Sequence, residues 1–257
     1  MADLSLENLS VVYDTSRGPL QALGPLSFDV ADGEFVAILG PSGCGKSTLL
    51  KILSGLLQPT TGRARLGGQT IDRPRKDVGI VFQQPTLLPW KTVRENVLVP
   101  IRVLGLYAPE TRRKADALID MVGLSVFAEH YPHELSGGMQ QRVAIARGLV
   151  HEPALLLMDE PFAALDALTR EQMTVELQAI WERTKNSVVF ITHSIQEAAF
   201  MADRILVLSR RPGQIVHEER VTLPRPRGLE SLTAPEFVAT CDRLRRLFTS
   251  VEDKAHA

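Results

Sequence analysis

The chain has 257 residues, 29 Lys plus Arg against 30 Asp plus Glu, and a formal net charge of −1. That length supports one large α/β domain with an appended subdomain, and the balanced charge gives no bias toward nucleic acid or an anionic membrane. Two cysteines, Cys44 and Cys241, cannot build a disulfide framework and suit a reducing cytoplasm.

The first residues, MADLSLENLSVVYD, lack the basic and apolar regions of a signal peptide. The longest apolar runs fall far short of the ~20 residues a membrane span needs, so the expectation is a soluble chain that meets a membrane only through a partner. Leu26, Phe28 and Val30 alternate with Ser27 and Asp29, the pattern of a half-buried strand. Asp32-Gly33 then predicts a turn into residues 34–39 and an antiparallel hairpin. Residues 35–39 are continuously apolar and end in glycine, as in a strand covered on both faces. Residues 47–57 read as helix, with Leu49, Leu50, Leu53 and Leu57 along one side. A turn-rich stretch, 59–68, leads toward a strand at 78–82.

From about residue 93 to 150 the pattern is helical, interrupted by Pro100, Pro109 and Pro132. Two buried strands at 154–158 and 188–192 flank a helix at 168–184, so the helical block reads as an insertion between strands of one sheet. Arg211-Pro212-Gly213 marks a turn, LPRPRG is rich in Pro and Arg, and residues 237–248 are amphipathic. The expected organisation is a domain over 1–230, with its helical subdomain at about 93–150, and a short helical tail over 231–257.

The segment Gly40, Pro41, Ser42, Gly43, Cys44, Gly45, Lys46, Ser47, Thr48 fits GxxxxGK[ST] and lies where that motif works, after a buried strand and before a helix. Glycines let backbone N–H groups wrap phosphates, and the helix N-terminus adds its dipole. Lys46 would reach the β- and γ-phosphates and Ser47 would ligate Mg²⁺, while Cys44 reads as a small spacer. In LLLMDEP, Asp159 and Glu160 emerge together at the end of a buried strand, where open α/β sheets bind ligands. Asp159 suits a Mg²⁺ partner, and Glu160 suits the group that orients or deprotonates an attacking water. A lone histidine is more often structural than catalytic, but His193 ends a strand at the same predicted sheet edge as Lys46 and Glu160. Gln83, after VGIVF, could touch Mg²⁺ or that water, and Tyr13 offers a flat face to an adenine ring. One glycine motif remains: LSGGMQQR, residues 135–142, has no task at the first phosphate site.

With GPSGCGKST, the Gln83 loop, LSGGMQQR, LLLMDEP, Ala164-Leu165-Asp166 and His193 in this order, the chain resembles the ATP-binding cassette (ABC) ATPases over nearly its whole length. The resemblance implies an α/β P-loop NTPase fold of ABC-ATPase type. It would combine a mixed or parallel core sheet, an N-terminal antiparallel β subdomain and an inserted helical subdomain. It further implies that Leu135, Ser136, Gly137, Gly138 and Gln140 contact ATP held by an opposing cassette, a task suited to a glycine-rich helix start. Met139, Val143, Ala146 and Val150 recur at helical spacing behind them and would anchor that helix. By the same resemblance Asp166 lies at the dimer contact, Glu160 is the catalytic carboxylate, His193 holds the γ-phosphate and Tyr13 stacks on adenine.

The segments at 89–96 and 210–227 are similar to those of importer ATPases for nitrate, sulfonate, taurine or bicarbonate, whose relatives carry pyrimidine precursors or aromatic acids. From the length of the stretch after His193, the large regulatory domain of some sugar importers is not expected. The implied protein is an ATP-hydrolysing, energy-coupling subunit on the cytoplasmic face of the inner membrane, working as a homodimer around two MgATP. Its partners would be membrane permease subunits at the Gln83–Trp90 region and a separate solute-binding protein, with no nucleic acid. Leu87, Leu88, Pro89 and Trp90 would then be an exposed apolar patch; the other reading makes Trp90 part of the core. A soluble ABC ATPase of DNA repair or translation would carry two cassettes or a long coiled-coil insertion, and neither appears. An exporter subunit is the other alternative.

Overall fold

The computed structural model describes residues 3–253, with side chains to residue 248; residues 1–2 and the last four of the expected tail lie outside the description. The chain divides into two compact units, Met1–Pro74 with Ser187–Ala257, and Arg75–Asn186. Among the described residues no helix is long and apolar enough to cross a membrane.

The first unit opens with β1 (Leu4–Thr15) and β2 (Gly18–Val30), followed by β3 (Phe35–Leu39), α1 (Lys46–Leu53), β4 (Thr61–Leu66) and β5 (Gln69–Thr70). Strands β2, β1, β4 and β5 form an antiparallel sheet in that order. Leu4, Leu6, Phe28, Val30, Ala64 and Leu66 are buried along it while Asp29 and Arg63 face water. Leu26, Phe28 and Val30 thus do belong to a half-buried strand, but its hairpin partner is β1 rather than the segment that follows. All five residues of β3 are fully buried, so that strand needs cover on both faces and enters a second sheet instead.

Helix α1 buries Leu49, Leu50, Ile52 and Leu53 and stops four residues earlier than the apolar spacing predicts. Gly55 ends it in the left-handed region at φ 75°, where a Cβ would sit 2.1 Å from the Arg73 carbonyl oxygen. Only glycine fits that C-terminal turn.

The second unit contains β6 (Val78–Val81), α2 (Val93–Val97), α3 (Val99–Val103), α4 (Thr111–Met121), α5 (Gly137–Leu149), β7 (Leu155–Asp159) and α6 (Ala167–Thr184). Thr92 and Glu95 close a reciprocal capping box on α2. Pro100 lies in the first turn of α3 rather than breaking a helix, because that turn has no N–H partner to lose. Buried Asn96 accepts from the Leu88 N–H and donates to the carbonyls of Leu88, Lys91 and Thr92, fixing the loop before α2. Helix α5 buries Val143, Ala144, Ile145, Ala146 and Leu149, nearly all round its axis, as a core helix does.

The chain then returns to the first unit through β8 (Ser187–Thr192), α7 (Ile195–Met201), β9 (Arg204–Leu208), β10 (Ile215–Arg220) and α8 (Pro235–Asp253). Strand β3 lies between β8 and β9, parallel to both, and β10 pairs antiparallel with β9. Strands β9 and β10 were not foreseen from sequence: RILVL is short, and β10 alternates only weakly between half-buried and exposed residues. In α8 Phe237, Cys241 and Leu244 are buried, and Phe237 meets Phe200 of α7 edge-on with ring centroids 6.5 Å apart.

The Pro/Arg-rich stretch has a structural task. The buried Arg227 guanidinium donates to the carbonyls of Phe200, Ala202 and Leu223, and Arg225 donates to Met201 O and Asp203. Of these acceptors, the carbonyls of Phe200, Met201 and Ala202 lie at the end of α7, which leaves them without helical partners. Arg227→Met is expected to lower stability by about 3 kcal/mol, because buried acceptors lose a charged donor, and a urea unfolding curve measures this directly.

Candidate functional site

Parallel pairing sets chemistry at strand C-termini, the usual ligand edge of α/β sheets. In the first unit Leu39 of β3 pairs with Thr192 of β8, so Gly40 and His193 leave neighbouring strands at the same edge. In the second, Val81 of β6 pairs with Met158 of β7, so Gln83 and Glu160, each two residues on, also share an edge.

The loop from Gly40 to Gly45 is shaped by close contacts. A Cβ on Gly45, at φ 106°, would lie 2.5 Å from Leu23 Cδ2 and 2.7 Å from the Ala22 carbonyl oxygen. The Cys44 side chain is buried beneath Gly40. Lys46, 6% exposed, folds its ammonium over the loop and donates to Gly40 O at 2.8 Å and Pro41 O at 3.0 Å. Pro41, Ser42, Gly43 and Ser47 lie at the more open surface, and Ser47 is in the first turn of α1. A fixed cation beside a helix N-terminus is suited to phosphate. Tyr13, half-buried on β1, has its hydroxyl 3.3 Å from Thr48 Oγ1, so its ring stands beside the start of α1.

In the second unit Asp159 is the last residue of β7 and Glu160 follows it in the left-handed region at φ 43°. A side-chain-bearing residue held there costs on the order of 1–3 kcal/mol, and such strain concentrates at functional sites. Gln83 is exposed. Ser136 caps α5, its Oγ accepting from the Met139 N–H at 3.3 Å. The two glycines behind it differ. A Cβ on Gly138 would press to 3.0 Å from Thr169 Cγ2, whereas one on Gly137 would meet nothing nearer than Leu165 Cδ2 at 4.0 Å. Gly138 therefore serves packing, and Gly137 leaves the helix start bare. Leu135 is buried, and the Gln140 amide donates to Pro132 O and Leu135 O, holding the approach to this helix start.

Asp166 caps α6, accepting from the Thr169 N–H at 3.1 Å, and those Thr169 contacts hold its carboxyl below the usual range. Trp90 is 69% exposed, which excludes the core reading, and Leu87 and Leu88 beside it are half-buried. Two ties from α5 to the Gln83 loop were not foreseen from sequence. Gln141 donates to Phe82 O at 3.3 Å, and Arg147 donates to Pro85 O and Thr86 O. Their signal was polar side chains on a helix otherwise buried all round.

No three His, Cys, Asp or Glu side chains cluster as a metal cage among the described residues. The Ser47 hydroxyl in the first unit and the Asp159 carboxylate in the second are each a hard oxygen donor. That donor type suits Mg²⁺, which binds through one or two protein oxygens and completes its shell with water and nucleotide phosphates.

A glycine loop with its lysine between a buried strand and a helix, and acids at a parallel-strand end, define a nucleoside-triphosphate-binding α/β cassette. The model of the ABC transporter family matches residues 23–163, and the chain belongs to that family. It is an ATP-binding, ATP-hydrolysing member with the mixed α/β cassette fold, and it groups with import ATP-binding proteins. The taurine import ATP-binding protein of Rhizobium johnstonii is 43% identical, covering 97% of this chain and 98% of its own. The nitrate import ATP-binding protein of Synechocystis sp. is also 43% identical, covering 97% and 96% respectively. A dimeric ATP-binding cassette in a post-hydrolysis state, bound to ADP and Pi, superposes with TM-score 0.72 at 36% identity, over 84% of this chain and 98% of that one.

Proposed function

We propose that the chain is the energy-coupling ATPase of an importer for a small anionic or heterocyclic solute, of the kind of nitrate, sulfonate, taurine or a pyrimidine precursor. Two copies would act as a homodimer around two MgATP, peripheral to the cytoplasmic face of the inner membrane. Permease subunits would dock at the Gln83–Trp90 surface, for which exposed Trp90 is a fitting anchor, and a separate binding protein would deliver the solute. The observation that carries the dimeric reading is the bare helix start at Gly137, an anion-ready N-terminus additional to the one at Gly45–Ser47. The dimeric ADP-bound neighbour supports it.

In this reading the backbone of Gly40–Thr48 and the Lys46 ammonium hold the phosphates, and Tyr13 lies against adenine. Ser47, Asp159 and Gln83 would hold Mg²⁺, which supplies positive charge against the phosphate oxygens. Glu160 orients the attacking water and accepts its proton, while His193 donates a hydrogen bond to the γ-phosphate. Leu135, Ser136, Gly137, Gly138 and Gln140 form the signature segment, which closes on the nucleotide of the partner copy, and Asp166 lies at the contact between copies. Catalysis is mainly positioning and charge stabilisation, as in phosphoryl transfer generally.

Ser136→Ala tests the shared site. Turnover should fall at least about tenfold through loss of a transition-state donor, while ATP affinity of the isolated chain stays at the parental value. Equal loss of both, measured by titration and steady-state kinetics, would place Ser136 at its own chain's nucleotide.

A further inference from the structure

His193 is solvent-exposed on the short loop between β8 and α7. The residues on either side of it are fixed closely. Thr192, 1% exposed, donates its hydroxyl to Glu197 Oε2 at 2.6 Å. The same Oγ accepts the Ser194 N–H at 3.0 Å, closing a small ring across the backbone of His193. Ser194 caps α7 by accepting from the Glu197 N–H at 3.3 Å, so Glu197 is engaged through both backbone and side chain. At its other end α7 is held by Arg225 and Arg227.

Glu197 is 6% exposed, and a carboxylate removed from water is costly unless its bonds are well made. Capping a seven-residue helix does not require that cost, because an exposed Glu at the third position caps equally well. What burial adds here is a short hydrogen bond, 2.6 Å, to the hydroxyl that brackets His193. We propose that Thr192 and Glu197 form a buried clasp that positions His193 for ATP hydrolysis, a proposal that rests on the γ-phosphate role given to His193 above. Neither residue touches nucleotide in this account. Both act by limiting the backbone from which the imidazole projects, and small misplacements of a catalytic group have large rate effects.

The test uses the full chain with MgATP, reading kcat, ATP affinity and thermal midpoint for Thr192→Val, Thr192→Ser, Glu197→Gln and His193→Ala. Thr192→Val keeps the side chain's shape and removes its hydroxyl. It should lower kcat about tenfold or more with ATP affinity unchanged, and Thr192→Ser should restore most of the rate. Parental kcat in Thr192→Val alongside a crippled His193→Ala would overturn the clasp. Parental rates in both would instead refute the role of His193. Loss of ATP affinity in step with kcat, unrescued by Ser, would reduce Thr192 to a general structural residue and also overturn the proposal. Should Thr192→Val not fold, Glu197→Gln decides: reduced kcat at an unchanged thermal midpoint supports the clasp, and parental kcat contradicts it.

Discussion

Glu160→Gln is expected to leave ATP binding at parental strength and to lower turnover by roughly 10²–10⁴-fold, the range a positioned general base supplies. The substitution keeps the size of the side chain and its place after Asp159 at the end of β7, and it removes only the proton acceptor. The backbone at φ 43° suits neither Glu nor Gln, so the local strain is unchanged and folding should not confound the result. ATP that binds and is not cleaved should accumulate the closed pair of cassettes, visible as an ATP-dependent dimer by size-exclusion chromatography. Hydrolysis at the parental rate would remove Glu160 from the mechanism.

Lys46→Ala should act one step earlier, on binding itself. Its ammonium is held at the loop by Gly40 O and Pro41 O, so a phosphate meets a cation whose position is already fixed. Truncating a buried hydrogen-bonded charge costs about 2–5 kcal/mol in binding, which corresponds to a loss of ATP affinity of roughly 30- to 4,000-fold. Isothermal titration measures it, and parental affinity would show that the backbone N–H groups alone hold the phosphates. The two variants separate the halves of the account: one binds and fails to turn over, the other fails to bind.

Much of the local geometry at this site was legible in the sequence, because its motifs depend on short stretches of chain. A loop that needs Gly45 at positive φ, a lysine that folds over it and a helix that begins there are all written within nine residues. The acids at the end of β7 were legible too, since a run of buried residues ending in Asp159 signals a strand edge. Tertiary pairing was less so. Asp32-Gly33 suggested a hairpin, yet the turn joins strands of two different sheets, because β3 needs cover on both faces and β2 on one. The 47–57 helix was overextended because Leu57 kept the apolar spacing after Gly55 had already turned the chain.

The supporting residues were the hardest to read. Arg227 looks like part of a polar, proline-rich linker until its guanidinium is seen under the end of α7. Glu197 looks like an ordinary capping residue until its burial and its bond to Thr192 are known. Trp90 could be settled only by its exposure, since an apolar side chain in a loop reads the same whether it packs inward or waits for a partner.

The central claim is that each active site takes its loop and base from one chain and its signature segment from another. Mixing two inactive variants tests it. Gly137→Asp sets a carboxylate where a phosphate would approach, in space that accepts a side chain and at a helix start that tolerates one. Glu160→Gln removes the base. Each protein alone should be nearly silent, whereas a mixed pair joins the intact loop and base of one to the intact signature of the other. The account predicts that ATPase activity reappears on mixing and rises with the fraction of mixed dimers. A mixture as silent as its components, with mixed dimers shown to form, would contradict it.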